Sequence, residues 1–221
     1  MAEQQMLARV VVGSRLHGLA QPESDTDVRR VWVSPLGELL SPWPPDAPEM
    51  GPEEDGWELR HFVGLIVKGN PTVLEVLSSD IHLSSTDRRW RALQTMMPAM
   101  LDPTTVRNAH LGYVVSQRKL IEDAKRREDF RRVAKAAVAA LRIANQGADL
   151  LRTGVFTPQV TRHLDLLLAI RRDGLDGERE AIWKHELDQA MTELDAAAAS
   201  PHPGLQLDRD VVIAFLSSAY R

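Results

Sequence analysis

Two short features near the start of the chain have the residue types needed to handle a phosphorylated substrate. The first is the pair Gly13-Ser14, and the second, after ten intervening residues, is Asp25-x-Asp27. A glycine lets backbone approach a phosphate closely, a serine offers a hydroxyl, and the helix start that follows offers unpaired N–H groups. In an extended segment alternate side chains face one way, so Asp25 and Asp27 project together. Two adjacent carboxylates repel unless a cation lies between them. Mg²⁺ (or Mn²⁺), held by one or two carboxylates plus substrate phosphates, suits that arrangement. Neither a GS pair nor a DxD is informative alone; the joint spacing in a strand–helix–strand context carries the reading. The plain alternative is an N-cap serine followed by a hydrated acidic turn.

These residues need a scaffold. Leu7–Val12 is a β-branched run stopped by Gly13, which reads as a buried strand, and Asp27–Val33 reads as a second one. Between them Ser14–Ala20 can form a short helix, followed by turn chemistry over Gln21–Ser24. Residues 35–56 hold six of the thirteen prolines, three glycines and a cluster of acids, the composition of a long loop. Order is expected to resume over Trp57–Val67, and Asn70-Pro71 reads as an N-cap with proline at the first helical position. From Asp102-Pro103 onward the pattern is helical. In residues 130–153, Ala134, Ala137, Val138, Leu141, Ala144, Ala148 and Leu151 share one face. Thr157-Pro158 reads as another helix start leading into Leu164, Leu167 and Leu168, with further helices around Trp183–Leu194 and Val211–Tyr220. The expected fold is α+β: a small mixed-sheet domain over 1–101, then an α-helical domain over 102–221.

The 221 residues, 43% hydrophobic and 26% charged, suit a globular protein able to bury a core. The absence of cysteine excludes disulfide scaffolds, thiolate metal sites and cysteine nucleophiles. No apolar run approaches the roughly 18–20 residues of a membrane span, and the N-terminus lacks a secretory signal pattern. A cytoplasmic location without a membrane partner is therefore expected. The net charge of −4 hides an asymmetry. Residues 1–80 carry 6 Lys and Arg against 13 Asp and Glu, whereas residues 102–172 carry 14 against 7. An acidic front beside a basic middle fits a metal site next to a polyanion-binding surface, or equally two solvated faces of opposite sign.

The spacing of Gly13-Ser14 and Asp25-x-Asp27 is similar to that of DNA polymerase β-like nucleotidyltransferases. More narrowly, GSRLHG…ESDTDVRRVWVSP, WELRHFVGLIVKGNPTVLEVL, LRIANQGADLLRTG and LLLAIR resemble, in order over roughly 170 residues, the RNA-repair-pathway polymerase β-like (RlaP-type) group. The resemblance implies a polymerase β-like domain followed by helices, and a metal-dependent transfer of NMP from an NTP to a hydroxyl, with release of pyrophosphate. It matches Gly13 and Ser14 to the pair that grips the triphosphate, and Asp25 and Asp27 to the metal ligands. Arg30 departs from it, standing where the group commonly has glycine. A third carboxylate is implied on a neighbouring strand; Glu58 is the first choice, with Glu53, Glu54 and Asp55 as close rivals. An RNA end is the favoured acceptor. The alternatives are a protein hydroxyl, as in AMPylating antitoxin enzymes, and a catalytically silent nucleotide-binding module.

Other residues carry weaker signals. Arg15 and His17 flank the phosphate turn and could touch nucleotide, as could Lys68 and Asn70, although Asn70 is better explained as an N-cap. Glu75 reads equally as a helper at the site and as a surface glutamate. The basic run Lys125, Arg126, Arg127, Arg131 and Arg132 could follow an RNA backbone or be a solvated face paired with Glu128 and Asp129. Arg179 and His185 have the spacing of a helical RNase motif, but about two such pairs arise by chance in a chain this rich in arginine. Trp43 and Trp57 could stack on a base, and the other tryptophans read as core.

Overall fold

The computed structural model describes residues 4–43, 47–52, 54–84 and 87–221. Its sheet has three strands in the order β1 (Gln5–Val11), β2 (Val28–Val33), β3 (Glu54–Glu58). β1 and β2 run antiparallel, with Val11 opposite Val28, while β2 and β3 run parallel, with Arg29 opposite Asp55. Both expected strands are present. The third, which the resemblance implies as the strand of a third carboxylate, starts earlier than the pattern suggests: order resumes at Glu54, three residues before Trp57, because Glu54 to Glu58 ladder onto β2. Before Glu54 the Pro-rich segment contributes one helical turn, α2 (Leu36–Leu39), and otherwise forms no regular element among the described residues. Residues 44–46 and Glu53 lie outside them.

The other edge of the sheet is covered. Leu83 N–H donates to Arg9 O (2.8 Å), Val11 N–H to Ile81 O (2.9 Å) and Asp87 N–H to Leu7 O (3.1 Å). Ile81, Leu83 and Asp87 thus satisfy ladder groups that β1 would otherwise expose.

Helices α3 (Leu59–Val67), α4 (Pro71–Leu77) and α5 (Arg88–Met96) pack on the sheet around Leu7, Val10, Val31, Phe62, Ile66, Leu74 and Trp90. Asn70 caps α4, its side chain accepting from Thr72 N–H and Val73 N–H. A second core lies in the helical half. There α7 (Phe130–Thr153) is packed between α6 (Pro103–Arg126) and α9 (Gly177–Ala199), and it buries Ala137, Leu141 and Ala144 with Trp183 and Leu187. Small residues let these helices approach closely: a Cβ on Gly147 would collide with the ring of His110 on α6.

The helix expected from Pro158 is not formed. After α7 ends at Gly154 (φ +74°), Gln146 Nε2 donates to the carbonyls of Thr157 and Pro158, and Val160 N–H donates to His17 O. Tied from both sides, the chain stays irregular until α8 (Leu164–Asp173). The last helix, α10 (Arg209–Ala219), returns to the sheet half. Phe215 and Ala219 join the first core, and the Tyr220 hydroxyl donates to Glu58.

Candidate active site

The turn after β1 stands where the two cores meet. α1 is a single turn, Gly13–Leu16; Leu16 belongs to the first core and Leu19 to the second. Gly13 adopts φ +70°, the left-handed region that favours glycine. A Cβ at this position would also collide with Asp27 Oδ2, so glycine is needed both for the conformation and for the approach to the aspartate. Val12 N–H donates to Asp27 O (2.9 Å), which extends the β1–β2 ladder to the residue that carries this carboxylate. Ser14 is half-buried beside it, and Arg15 Nη2 reaches Ser24 O (2.8 Å) across the acidic turn.

Asp25 is exposed and Asp27 is half-buried. Among the described residues neither carboxylate takes a hydrogen bond or an ion pair, in a chain with 22 arginines. Glu54 is the contrast: its carboxylate is held by Arg9 (Nε at 2.8 Å), Arg30 and the Gly51 N–H, which lower its pKa.

Strand parity separates the candidates for a third carboxylate by face. Residues 27 and 29 of the β2 segment share a face, and the in-register partner of Arg29 is Asp55. Asp55 therefore lies on the face of Asp27, exposed, and among the described residues its carboxylate accepts only the adjacent Gly56 N–H (2.8 Å). Glu54, Gly56 and Glu58 lie on the other face. Glu58 is buried and occupied: it caps α3 through Arg60 N–H (2.7 Å), accepts the Tyr220 hydroxyl and lies 3.4 Å from Ser34 N. The structure does not bring the first-choice residue, Glu58, to the aspartate pair. Its fixed place at the end of β3 makes it a helix cap.

Lys68 is exposed at the end of α3, and its side chain makes no hydrogen bond or ion pair among the described residues; Asn70 is spent on capping α4. Neither is linked to the Gly13 turn. Glu75 is linked to it. Only 8% exposed, it accepts the Gly13 N–H at Oε1 (3.1 Å), with His17 Nε2 at 2.8 Å from the same oxygen and Arg142 Nη1 at 3.2 Å from Oε2. Arg142 also donates to Gln146 Oε1 (2.8 Å). Burial pushes the Glu75 carboxyl up, but Arg142, His17 and the Gly13 N–H outweigh it and bring the pKa to about 2. His17 is pushed below its usual value by burial and by Arg142, against the pull of Glu75. The sequence signal for this cluster is the lone acid in PTVLEVL, a short helix otherwise apolar beyond its first turn.

In the basic run the ion pairs differ from those expected. Lys125 pairs with Glu180 (2.6 Å) and Arg126 with Asp123, while Asp129 caps α7. Arg127, Arg131 and Arg132 are exposed and form no ion pair among the described residues.

Among the described residues no group of three His, Asp or Glu side chains stands close enough to hold a metal by itself. The donor set is nevertheless one that Mg²⁺ accepts: one or two carboxylates, with substrate phosphate oxygens supplying further ligands. Among the described residues no helix is long and apolar enough to cross a membrane. No curated protein and no solved structure matches the chain. Residues 2–216 match the RNA repair pathway DNA polymerase beta family, and the chain belongs to that family of polymerase β-like nucleotidyltransferases.

Proposed function

We propose that this protein transfers a nucleoside monophosphate from an NTP to a hydroxyl at an RNA end, releasing pyrophosphate. The observation that carries the reading is the unpaired acid pair beside the left-handed glycine turn. Asp25 and Asp27 have no protein partner among the described residues, and Gly13 is packed against Asp27. Asp55, placed on the same face by the β2–β3 register, is the third carboxylate in this reading. Asp25 and Asp27 would hold Mg²⁺ or Mn²⁺, with Asp55 the further candidate ligand on the same face. The chemistry such a cation supplies when bound is charge neutralisation on the triphosphate and a lowered pKa for the attacking hydroxyl.

The chain's own work is placement. Ser14 offers its hydroxyl to a phosphate oxygen, and Gly13 lets that phosphate come close to the backbone. Arg15 tethers the acidic turn through Ser24 O. Phosphoryl transfer leaves little covalent chemistry to the protein, so positioning and charge compensation supply most of the rate. The test is incubation of the purified protein with each labelled NTP, Mg²⁺ or Mn²⁺, and either RNA ends or cell lysate. Label appearing on RNA supports the reading. Label on protein alone replaces RNA with a protein hydroxyl, and no transfer to either leaves a nucleotide-binding module.

Ser14→Ala is expected to weaken NTP binding about tenfold and spare RNA binding, since a hydrogen bond to a charged phosphate is worth about 1.5–3 kcal/mol. Titration of both ligands checks this; an unchanged NTP dissociation constant leaves Ser14 as an ordinary turn residue.

RNA binding has its own signature. Each phosphate neutralised on a single strand contributes about 0.7 to the log–log salt slope. Because Arg126 is already paired with Asp123, the cations left to act are Arg127, Arg131 and Arg132. Charge reversal at these three is expected to flatten the slope by about two units. Titration with a labelled single strand at several salt concentrations measures it, and identical slopes remove this surface from the RNA argument.

A further inference from the structure

Glu75 is placed to control the phosphate turn, and it does so from outside the acid pair. Gly13 is gripped from two sides: its Cα packs against the Asp27 carboxylate, and its N–H points into Glu75. Glu75 is in turn anchored by Arg142 and, through Arg142, by Gln146, both on the central helix of the second core. Gln146 also donates to the carbonyls of Thr157 and Pro158, and Val160 in that segment donates its N–H to His17 O. The turn, α4, α7 and the 157–160 segment thus form one closed ring of hydrogen bonds around a single buried carboxylate. We propose that Glu75 is a positioning residue whose acceptor oxygen, by holding the Gly13 N–H, fixes the turn against Asp27 and so sets the affinity for the NTP. The proposal rests on the nucleotidyltransferase reading for the identity of the ligand, and on geometry alone for the tether.

Both oxygens of Glu75 have separable duties. One takes the Gly13 N–H and lies against His17; the other faces Arg142. Truncating Glu75 alone would leave Arg142 buried without its counter-charge and could unfold the chain. Two double variants avoid this: E75Q/R142M and E75L/R142M. Each removes both charges at similar volume, and they differ chiefly in that Gln keeps a carbonyl able to accept the Gly13 N–H.

The measurements are calorimetric titration of the full chain with Mg²⁺ and non-hydrolysable analogues of the four NTPs, titration with single-stranded RNA, and amide hydrogen exchange over residues 13–17. E75Q/R142M is expected to bind the NTP analogue about tenfold more tightly than E75L/R142M, with equal RNA affinity. Exchange over the turn is expected to be faster in the Leu form alone. A purely structural role would move the melting temperatures and both ligands together. Equal NTP affinity and equal exchange in the two doubles overturn the proposal. A wild-type chain that binds none of the analogues removes the parent reading instead, and the tether then stands or falls on the exchange comparison.

Discussion

Asp27→Asn is expected to abolish nucleotidyl transfer without unfolding the protein. The carboxylate lies at the entry to β2, its backbone held by Val12 and its side chain against Gly13, so an isosteric amide keeps every packing contact. It loses the negative charge that a bound divalent cation requires. Cation-assisted stabilisation of a transferring phosphoryl group is worth several kcal/mol, so a loss of about a thousandfold or more in rate is expected. The same outcome is expected of Asp25→Asn. Without ligand neither variant is destabilised, because relieving repulsion between like charges favours the fold if it does anything.

The third carboxylate separates two outcomes. Asp55→Asn is expected to lower transfer steeply at unchanged melting temperature. Glu58→Gln is expected to lower the melting temperature, since its carboxylate caps α3 and accepts the Tyr220 hydroxyl. Rates with labelled NTP, set beside thermal melts of the four variants, make the comparison. Wild-type transfer by Asp27→Asn would remove the aspartates from the mechanism, and the reverse pattern at 55 and 58 would restore Glu58.

What the sequence revealed, and what it hid, follows from the range of the interactions. Gly13-Ser14 and Asp25-x-Asp27 are local signals: a strand stop, a turn and a two-residue period all lie within one short segment. The capped helices are local too, as Asn70-Pro71 and Asp102-Pro103 show. Asp55 was one of three rivals to Glu58 because the face each occupies depends on register across the β2–β3 pair. A period of two means that a one-residue error exchanges Glu54 for Asp55 and one face for the other. Pro158 misled because its segment is governed by Gln146, twelve residues back, and by His17, far earlier in the chain. Glu75 and Arg142 are 67 residues apart and make sense only as a pair. The alanine-rich face of α7 was legible as one apolar stripe, but not as the contact surface of both α6 and α9.

Mild acid is expected to cost the fold about 3 kcal/mol between pH 7 and pH 4, with His110 as the main source. His110 is fully buried on α6; Val106 O (2.9 Å) can only accept, so Nδ1 carries the proton of the neutral tautomer, and Nε2 has no hydrogen-bond partner among the described residues. Burial is the larger cause holding its pKa down to about 4, with the Arg142 charge adding to it and the hydrogen bond to Val106 opposing. In the unfolded chain the imidazole titrates near 6.5. Below that pH the unfolded state binds a proton that the folded state refuses, so stability present above pH 6.5 drains away until about pH 4 and no further. At 1.36 kcal/mol per pH unit the loss is a substantial share of the ~5–15 kcal/mol that holds a domain together. His17 works in the same direction below pH 6.5, since burial and the Arg142 charge also depress its pKa. Glu75 acts later: its pKa of about 2, against 4.5 unfolded, removes stability only as pH falls below 4.5. Denaturant unfolding at pH 7, 6, 5 and 4 measures the effect, and His110→Gln supplies the control. The glutamine amide can still donate to Val106 O but does not titrate, so its stability should fall by much less over the same range. Parallel pH profiles for the wild type and His110→Gln would place the acid sensitivity elsewhere.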